Sequence, residues 1–309
     1  MLARHFNLLP WKQAAAAEMC SYVLGELGDG GVVQAWLESL QDQEWVEAAL
    51  SPFISTLVLD QTVEWPQRYA VDESVRLLRT PTEGRYPWGE VPLELVPILR
   101  RMGIGSRRLG CEEADFILPG HSEWQSYGTL LRGALLLLDA VAPRYLEELH
   151  TASSAVVLVN EMASFRGASG ASQRGLIFLS PTPDWDEIVF AEELIHETTH
   201  CILDLISISS PLFTAASAYE EKYHAPFRPD LRAWYGNFHA VVVCARCITF
   251  YRMLMESRSD QSKRCADRVA DLQSKAGPVS AELLSAPMSE VGRNIFESWV
   301  VSEFREWLS

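Results

Sequence analysis

Residues 192–200 read Glu-Glu-Leu-Ile-His-Glu-Thr-Thr-His, which places His196 and His200 four positions apart with Glu197 beside the first of them. Apolar residues around this stretch recur at helical spacing, and we expect one buried helix over 186–207. Histidines four apart lie one above the other on a helix face, because a turn holds about 3.6 residues. One rigid element would therefore direct both imidazole groups at a single metal ion.

The same spacing is also compatible with two purely structural histidines. In a buried helix without a metal, each neutral imidazole would need its own hydrogen-bond partner. The apolar flanks of the pair and the candidate ligands further along the chain favour the metal site.

Two downstream residues are candidates for a third ligand. Glu220 has the spacing of thermolysin-like zinc peptidases, in which a glutamate on the next helix completes the zinc site and the motif glutamate is the general base. His239 lies in an apolar helix expected over 231–257, where a histidine needs a partner. Glu220 has charged neighbours and is expected to be solvated, so we favour His239, with a satisfied core histidine as the alternative.

The whole chain predicts a predominantly helical α+β fold. Residues 1–110 predict a helical N-terminal layer or subdomain, and residues 111–309 a metal-binding catalytic domain. Two β-branched runs, at 154–159 and 175–180, predict short strands. We expect this small sheet to lie next to the buried metal helix, in a local layout similar to that of zincins.

The remaining segments are predicted from the periodicity of their apolar residues and from prolines and glycines that interrupt it. A helix is expected over 124–149 with a break at Pro143. The stretch 164–174, rich in glycine, alanine and serine, predicts a flexible loop. From residue 231 to residue 309 the chain is expected to be helical, with a break near Gly277 and Pro278.

Charge and cysteine content limit the partners and the compartment. The formal net charge of −15 argues against a nucleic-acid partner, which would need a basic surface. The apolar run 133–138 is too short to cross a bilayer, and no secretory signal is expected. Six irregularly spaced cysteines predict reduced thiols in a cytoplasmic protein. Cys244 and Cys247 are expected to be small buried side chains, not a redox pair.

The segment from Ala191 to Tyr251 resembles the 2-oxoglutarate-dependent HExxH-type peptide β-hydroxylases. In that family a loop with Tyr-x-Ala-Pro-Trp-Arg-x-Asp-Pro-Arg follows the histidine pair, and a helix opening on Leu-His-Gly comes next. Here residues 223–232 read Tyr-His-Ala-Pro-Phe-Arg-Pro-Asp-Leu-Arg, and 238–240 read Phe-His-Ala. The departures are Phe227 for tryptophan, Leu231 for proline and Ala240 for glycine.

The resemblance implies an Fe(II) oxygenase that uses 2-oxoglutarate and O₂ to hydroxylate Cβ of a residue in a ribosomally made precursor peptide. Its iron would be held by His196, His200 and His239. Such a site needs open positions for the cosubstrate and for O₂, so that about three protein ligands suffice.

The cosubstrate also needs a cation for its distal carboxylate. Arginine suits this task, because its planar fork pairs with a carboxylate through two hydrogen bonds. Arg228 and Arg232 lie in the loop that carries the resemblance, and Arg174 precedes the second predicted strand. For each of the three, a surface or helix-capping charge is the alternative.

Glu197 has different roles under the competing hypotheses. In an oxygenase it would orient a ligand or a bound water, or would itself be a ligand in a two-histidine-one-carboxylate site. In a zinc metallopeptidase it would be the general base, with Glu220 as the third ligand. A non-enzymatic alternative is a peptide-binding protein with a structural metal site. The oligomeric state is not predicted.

Overall fold

The computed structural model of the protein describes residues 13–15, 121–153, 155–158, 166–170, 175–220, 222–227, 229 and 231–308. Several predictions lie outside these residues: the layer of 1–110 apart from 13–15, the candidates Arg174 and Arg228, and the thiols Cys20 and Cys111. The described residues are mostly helical with small sheets, which confirms the predicted α+β class.

The described elements follow one another in a simple order. They are α1 (His121–Val141), α2 (Pro143–Ala152), β1 (Ala155–Leu158), β2 (Gly167–Ala168), β3 (Leu176–Leu179), α3 (Glu187–Ser209), β4 (Tyr223–His224), β5 (Leu231–Arg232), α4 (Trp234–Ser257), α5 (Ser262–Leu283) and α6 (Glu290–Trp299). Short 3₁₀ turns lie at Ala216–Tyr219, Ser259–Gln261 and Arg305–Trp307. The break at Pro143 and both predicted strands are confirmed.

The chain divides into two compact units. Of the described residues between 121 and 308, the first unit holds those up to 137 and those of 146–209, and we call it the sheet unit. The second holds 138–145 and the residues after 209, and we call it the helical unit. The domain division predicted near residue 110 falls outside the described residues and stays a prediction.

The sheet unit contains a three-stranded sheet in the order β1-β3-β2. β3 is its central strand, and all four of its residues are buried, as expected for a short continuous apolar run. β1 pairs with β3 in parallel, from Ala155 opposite Leu176, and β2 pairs antiparallel, with Gly167 opposite Leu179. The loop predicted over 164–174 is therefore wrong in part, because it contributes β2.

α3 is the predicted metal-helix segment, and it has nearly the predicted bounds. Asp186 caps its first turn, since Oδ1 accepts hydrogen bonds from the backbone N–H of Ile188 at 3.1 Å and of Val189 at 3.0 Å. Most side chains along the helix are buried. The histidine pair is thus carried by a helix that packing holds in place on most of its surface.

The helical unit is built on α4 and α5, which pack along each other. α4 begins at Trp234 and not at residue 231, because Leu231 and Arg232 pair with His224 and Tyr223 as β5 and β4. Within the described ranges α4 is the one helix long and apolar enough to cross a membrane by length and composition. Of its most apolar window, 72% is buried inside the protein, as in the core helix of a soluble protein.

The break predicted near Gly277 and Pro278 is wrong, because α5 runs through both residues to Leu283. A Cβ atom at position 277 would lie 2.5 Å from the indole ring of Trp307. Burial of Gly277 and its neighbours against this ring holds the helix together, and this packing outweighs the backbone hydrogen bond that proline cannot make.

The first turn of α6 approaches the backbone at Leu212 too closely for a side chain. A Cβ atom on Gly292 would collide with the Leu212 carbonyl oxygen, which accepts a hydrogen bond from the backbone N–H of Ser289 at 2.9 Å. We expect Gly292→Ala to lower the free energy of unfolding by about 1–3 kcal/mol. Gly128→Ala in α1 adds a Cβ atom with nothing within 4 Å and should raise it by about 0.5–1 kcal/mol. Urea unfolding measures both, and equal effects would contradict the steric account.

Candidate functional site

The two histidines of α3 converge on one point. Their Nε2 atoms are 3.3 Å apart, and their ring centroids are 5.0 Å apart. Two nitrogen donors that lie about 2.0–2.1 Å from one ion, at an angle of about 90–110°, are separated by about 2.8–3.4 Å. The separation of the two Nε2 atoms therefore fits a pair of donors that share one metal ion. Both residues are half-buried, and the side chain of His196 is 41% exposed.

Glu197 lies against this pair and is almost wholly buried, at 3% exposure. Its Oε1 atom is 3.8 Å from Nε2 of His196. Burial raises the pKa of the Glu197 carboxyl from 4.5 to about 8, and Glu193 and Asp204 act in the same direction. A hydrogen bond from Ser169 opposes this rise. At neutral pH, and without a bound cation, this carboxyl group keeps its proton.

A short segment around β2, from Arg166 to Gly170, contacts two glutamates of α3, Glu193 and Glu197. The hydroxyl group of Ser169 is 2.6 Å from Oε2 of Glu197, and the guanidinium group of Arg166 is 3.1 Å from Oε1 of Glu193. Arg166 also lies 5.3 Å from the ring of Trp185. The sequence did not predict these contacts. Only the spacing of Glu193 and Glu197, one helical turn apart, indicates that both side chains lie on one face of the helix and can meet the same segment.

His239 lies on α4 in the helical unit and is buried at 6% exposure. The ring of Tyr235, one turn earlier, packs against its imidazole ring with centroids 4.4 Å apart. Burial lowers the pKa of His239 from 6.5 to about 3. The imidazole group is therefore neutral at physiological pH, and this is the form that binds a metal.

Glu220 has the surroundings that the sequence predicted. Its side chain is 51% exposed and forms an ion pair with the ammonium group of Lys222. A solvated carboxylate that is already paired is a weaker candidate for a metal ligand than a neutral, buried imidazole.

Arg232 is the one cosubstrate candidate among the described residues. It lies on β5 opposite Tyr223, and its side chain extends over Gly236 in the first turn of α4. A Cβ atom at position 236 would lie 3.6 Å from Cδ and 3.8 Å from Nη1 of Arg232. The half-buried guanidinium group thus lies along α4 in the turn that precedes His239.

The cysteines that the structure describes are all buried: Cys201, Cys244, Cys247 and Cys265. Cys244 and Cys247 are 3% and 2% exposed, which confirms that they are small buried side chains of α4. Burial also raises the pKa of the Cys201 thiol, which lies next to His200 in the chain. Buried thiols are shielded from reactants, so none of these four is a candidate nucleophile.

The structure brings together His196, His200 and Glu197 on α3, and it holds Arg232, Tyr235 and His239 in the helical unit. In the part of the chain that the structure describes, there is no group of three or more histidine, cysteine, aspartate or glutamate side chains arranged to hold a metal ion. The three-histidine site therefore stays a prediction, and the pair on α3 is its best supported part. No family model matches the chain, and no curated protein matches it either.

Proposed function

We propose that the protein is an Fe(II)- and 2-oxoglutarate-dependent oxygenase that hydroxylates Cβ of a residue in a ribosomally synthesised peptide. The observation that carries the proposal is the 3.3 Å separation of the His196 and His200 Nε2 atoms on one buried helix. The choice of iron over zinc rests on the resemblance of residues 191–251 to the HExxH-type peptide β-hydroxylases. The chemistry supplied by the bound ion is activation of O₂, coupled to decarboxylation of 2-oxoglutarate to succinate.

The proposed ligands are His196, His200 and His239. Burial keeps the His239 imidazole neutral, so that metal binding at this residue displaces no proton. The packing of Tyr235 against the ring restricts its rotation and supports a fixed direction for the donor nitrogen. For the two histidines of α3, the burial of their helix fixes the backbone from which both side chains extend.

An arginine is proposed to bind the distal carboxylate of 2-oxoglutarate. Arg232 is supported by its half-buried position along the first turn of α4, beside Gly236. Arg228 and Arg174 are the other candidates from the sequence. A planar guanidinium group would fix both the position and the direction of the carboxylate.

Glu197 is proposed to orient a group bound beside the histidines. Its carboxyl group is buried, accepts a hydrogen bond from Ser169 and lies 3.8 Å from Nε2 of His196. A carboxyl group that is fixed by a hydrogen bond and lies next to a proposed ligand can orient that ligand or a water bound beside it.

A zinc metallopeptidase is the second candidate function, and one observation favours it. Oε1 of Glu197 lies 3.8 Å from Nε2 of His196, so the carboxyl group lies beside the point on which the two histidines converge, where a general base would be needed. In that enzyme Glu197 would accept a proton from a metal-bound water. The exposure of Glu220 and its pairing with Lys222 weigh against the ligand set that this function would need.

The proposed partner is a precursor peptide, and the proposed compartment is the cytoplasm. A nucleic-acid partner is not proposed, because the net charge of −15 would repel phosphate groups. A membrane partner is not proposed either, since the apolar helix α4 is mostly buried.

Reconstitution tests the function directly. The metal-free protein is loaded anaerobically with Fe(II), given 2-oxoglutarate and a candidate peptide, and then exposed to O₂. We expect succinate to form in step with a peptide that has gained one oxygen atom. Cleavage of the peptide by the zinc-loaded protein, without succinate from the iron-loaded protein, would overturn the proposal and establish the peptidase.

The third ligand is distinguished by two single variants. We expect His239→Ala to bind iron at least about tenfold more weakly, because a neutral nitrogen donor is lost. Glu220→Ala should bind iron like the wild type, because this carboxylate is exposed and paired with Lys222. Iron content after anaerobic loading and gel filtration measures both. Wild-type iron content in His239→Ala would exclude this residue as a required ligand.

The cosubstrate contact is tested by Arg232→Ala and Arg232→Lys. A bidentate contact to a carboxylate predicts that both variants bind 2-oxoglutarate more weakly, by about tenfold or more for alanine. Calorimetric titration of the metal-loaded protein measures the affinity, with Arg228→Ala assayed in parallel. Unchanged affinity in all three variants would place the anchoring cation elsewhere.

A further inference from the structure

The carboxyl group of Glu197 is held at one of its oxygens by Ser169. The Ser169 hydroxyl group lies 2.6 Å from Oε2 of Glu197 and 3.3 Å from the backbone carbonyl oxygen of the same residue. The shorter contact is in the range of a strong hydrogen bond between a hydroxyl group and a carboxyl group. Oε2 is therefore occupied by a partner from outside the helix.

The other oxygen is enclosed by the same segment. A Cβ atom at Gly167 would lie 2.6 Å from Oε1 of Glu197 and 3.1 Å from Cδ, so that any side chain at position 167 would displace the carboxyl group. Oε1 is also the atom that lies 3.8 Å from Nε2 of His196. Gly167 and Ser169 together thus determine which carboxyl oxygen of Glu197 faces the histidines.

The segment that carries these residues contacts both the sheet and α3 just before Ser169. On the sheet side, Gly167 pairs with Leu179, and the backbone N–H of Ser180 donates to the carbonyl of Arg166 at 2.8 Å. On the helix side, the ion pair of Arg166 with Glu193 lies one helical turn from Glu197. Ser169 therefore directly follows a strand that is paired with β3 and lies against α3, and this placement brings its hydroxyl group to Glu197.

We propose that Ser169 is a positioning residue for Glu197: it binds Oε2 and, together with the space left by Gly167, holds Oε1 towards His196. The consequence for chemistry rests on the proposed metal site, whereas the contact between Ser169 and Glu197 does not. Without Ser169 the carboxyl group would rotate, and either oxygen could face the site.

A double-mutant cycle on the metal-free protein tests the contact. Ser169→Ala is expected to lower the Tm by about 2–4 °C in the wild-type background, the effect of one lost hydrogen bond in a chain of this size. In the Glu197→Ala background the same substitution should change the Tm by less than half as much. Ser169→Thr keeps the hydroxyl group and should retain the wild-type Tm. Additive effects of Ser169→Ala and Glu197→Ala would overturn the proposal.

Cobalt(II) reports on the site itself. Titration of the metal-free protein with Co(II) is followed by visible absorption, which responds to the geometry around the ion. We expect Ser169→Ala to bind Co(II) within about threefold of the wild type, because both histidines remain, but with shifted absorption bands. Gly167→Ala should shift the bands as well, and Ser169→Thr should not. The matched control is Ser207→Ala on α3. It removes a hydroxyl group that donates to the Leu203 carbonyl at 2.7 Å.

The outcomes separate this proposal from the proposed function. Wild-type bands in Ser169→Ala, together with altered bands in Glu197→Gln, would overturn the positioning role while leaving the metal site intact. If the wild-type protein takes up no Co(II), the metal site is wrong, and the double-mutant cycle alone decides whether Ser169 holds Glu197.

Discussion

Iron binding by the variant His196→Ala/His200→Ala is expected to fall by far more than 100-fold relative to the wild type. Loss of an outer partner of a metal ligand already costs roughly 10–100-fold in affinity, and here two direct donors are removed. Their Nε2 atoms are 3.3 Å apart, so the two substitutions remove one shared binding point. Each single variant should also bind iron more weakly, because it removes one of the three proposed nitrogen donors.

Iron content after anaerobic loading is the measurement, with circular dichroism to show that α3 still forms. Alanine is a good helix former, and both side chains are only half-buried, so the helix should tolerate the change. His224→Ala is the matched control, because His224 is exposed on β4. Wild-type iron content in the double variant would remove the basis of the proposed function.

The variant Glu197→Gln is expected to be more stable than the wild type at pH 8 in the metal-free state, and nearly equal to it at pH 5. Burial raises the folded-state pKa of Glu197 to about 8, whereas the unfolded chain has the ordinary value of 4.5. Between these values the folded protein holds a proton that the unfolded chain has released, so rising pH favours unfolding. The stability contributed by this proton is fully present below about pH 4.5 and is lost once the pH passes about 8.

The difference in the free energy of unfolding between the two proteins should grow by about 3–4 kcal/mol from pH 5 to pH 8, at about 1.4 kcal/mol per pH unit. Glutamine keeps the shape of the side chain and can accept the Ser169 hydrogen bond, but it carries no charge. Urea unfolding at several pH values in the presence of a chelator measures the difference. Glu282→Gln, at an exposed position on α5, is the control. Parallel pH profiles for Glu197→Gln and the wild type would contradict the burial of an ionisable group at this position.

The helices and strands that the sequence predicted well are those whose pattern lies within one segment of the chain. The apolar spacing around His196 was sufficient to predict α3 within a few residues. The β-branched and apolar runs were sufficient for β1 and β3. In each case the pattern and the physical cause lie within one segment of the chain, and tertiary packing acts in the same direction.

The features that the sequence did not predict arise from contacts between distant segments. Gly167 and Ser169 belong to a stretch whose composition is typical of loops, and their role appears only when β2 pairs with β3 beside Glu197. Pro278 is a local signal for a break, but the ring of Trp307 against Gly277 outweighs it. The start of α4 was placed too early because the pairing of Arg232 with Tyr223 has no signature in the apolar spacing.

The sequence predicted the residues of the candidate site on different grounds. The histidine pair follows from spacing alone, because i and i+4 side chains meet on any helix. His239 was preferred to Glu220 because the sequence places it in an apolar helix, whereas Arg232 was chosen in the loop that carries the resemblance. What the structure adds is the depth of burial that keeps the His239 imidazole neutral, and the position of the Arg232 side chain along the turn before it. Neither detail can be read from sequence, since each depends on how the elements pack together.

The exposure of the His196 side chain bears on how the protein has to be handled. An ion held by the pair on α3 would face solvent along one edge of the helix, where a small chelator could reach it while the fold stays intact. Metal exchange would then be fast compared with unfolding, unlike exchange at the closed sites that structural zinc occupies. Purification in chelating buffers, or on nickel resin with long washes, would yield a folded protein that has lost or exchanged its metal. Preparations for the assays above should therefore begin from chelator-treated protein and add one defined metal.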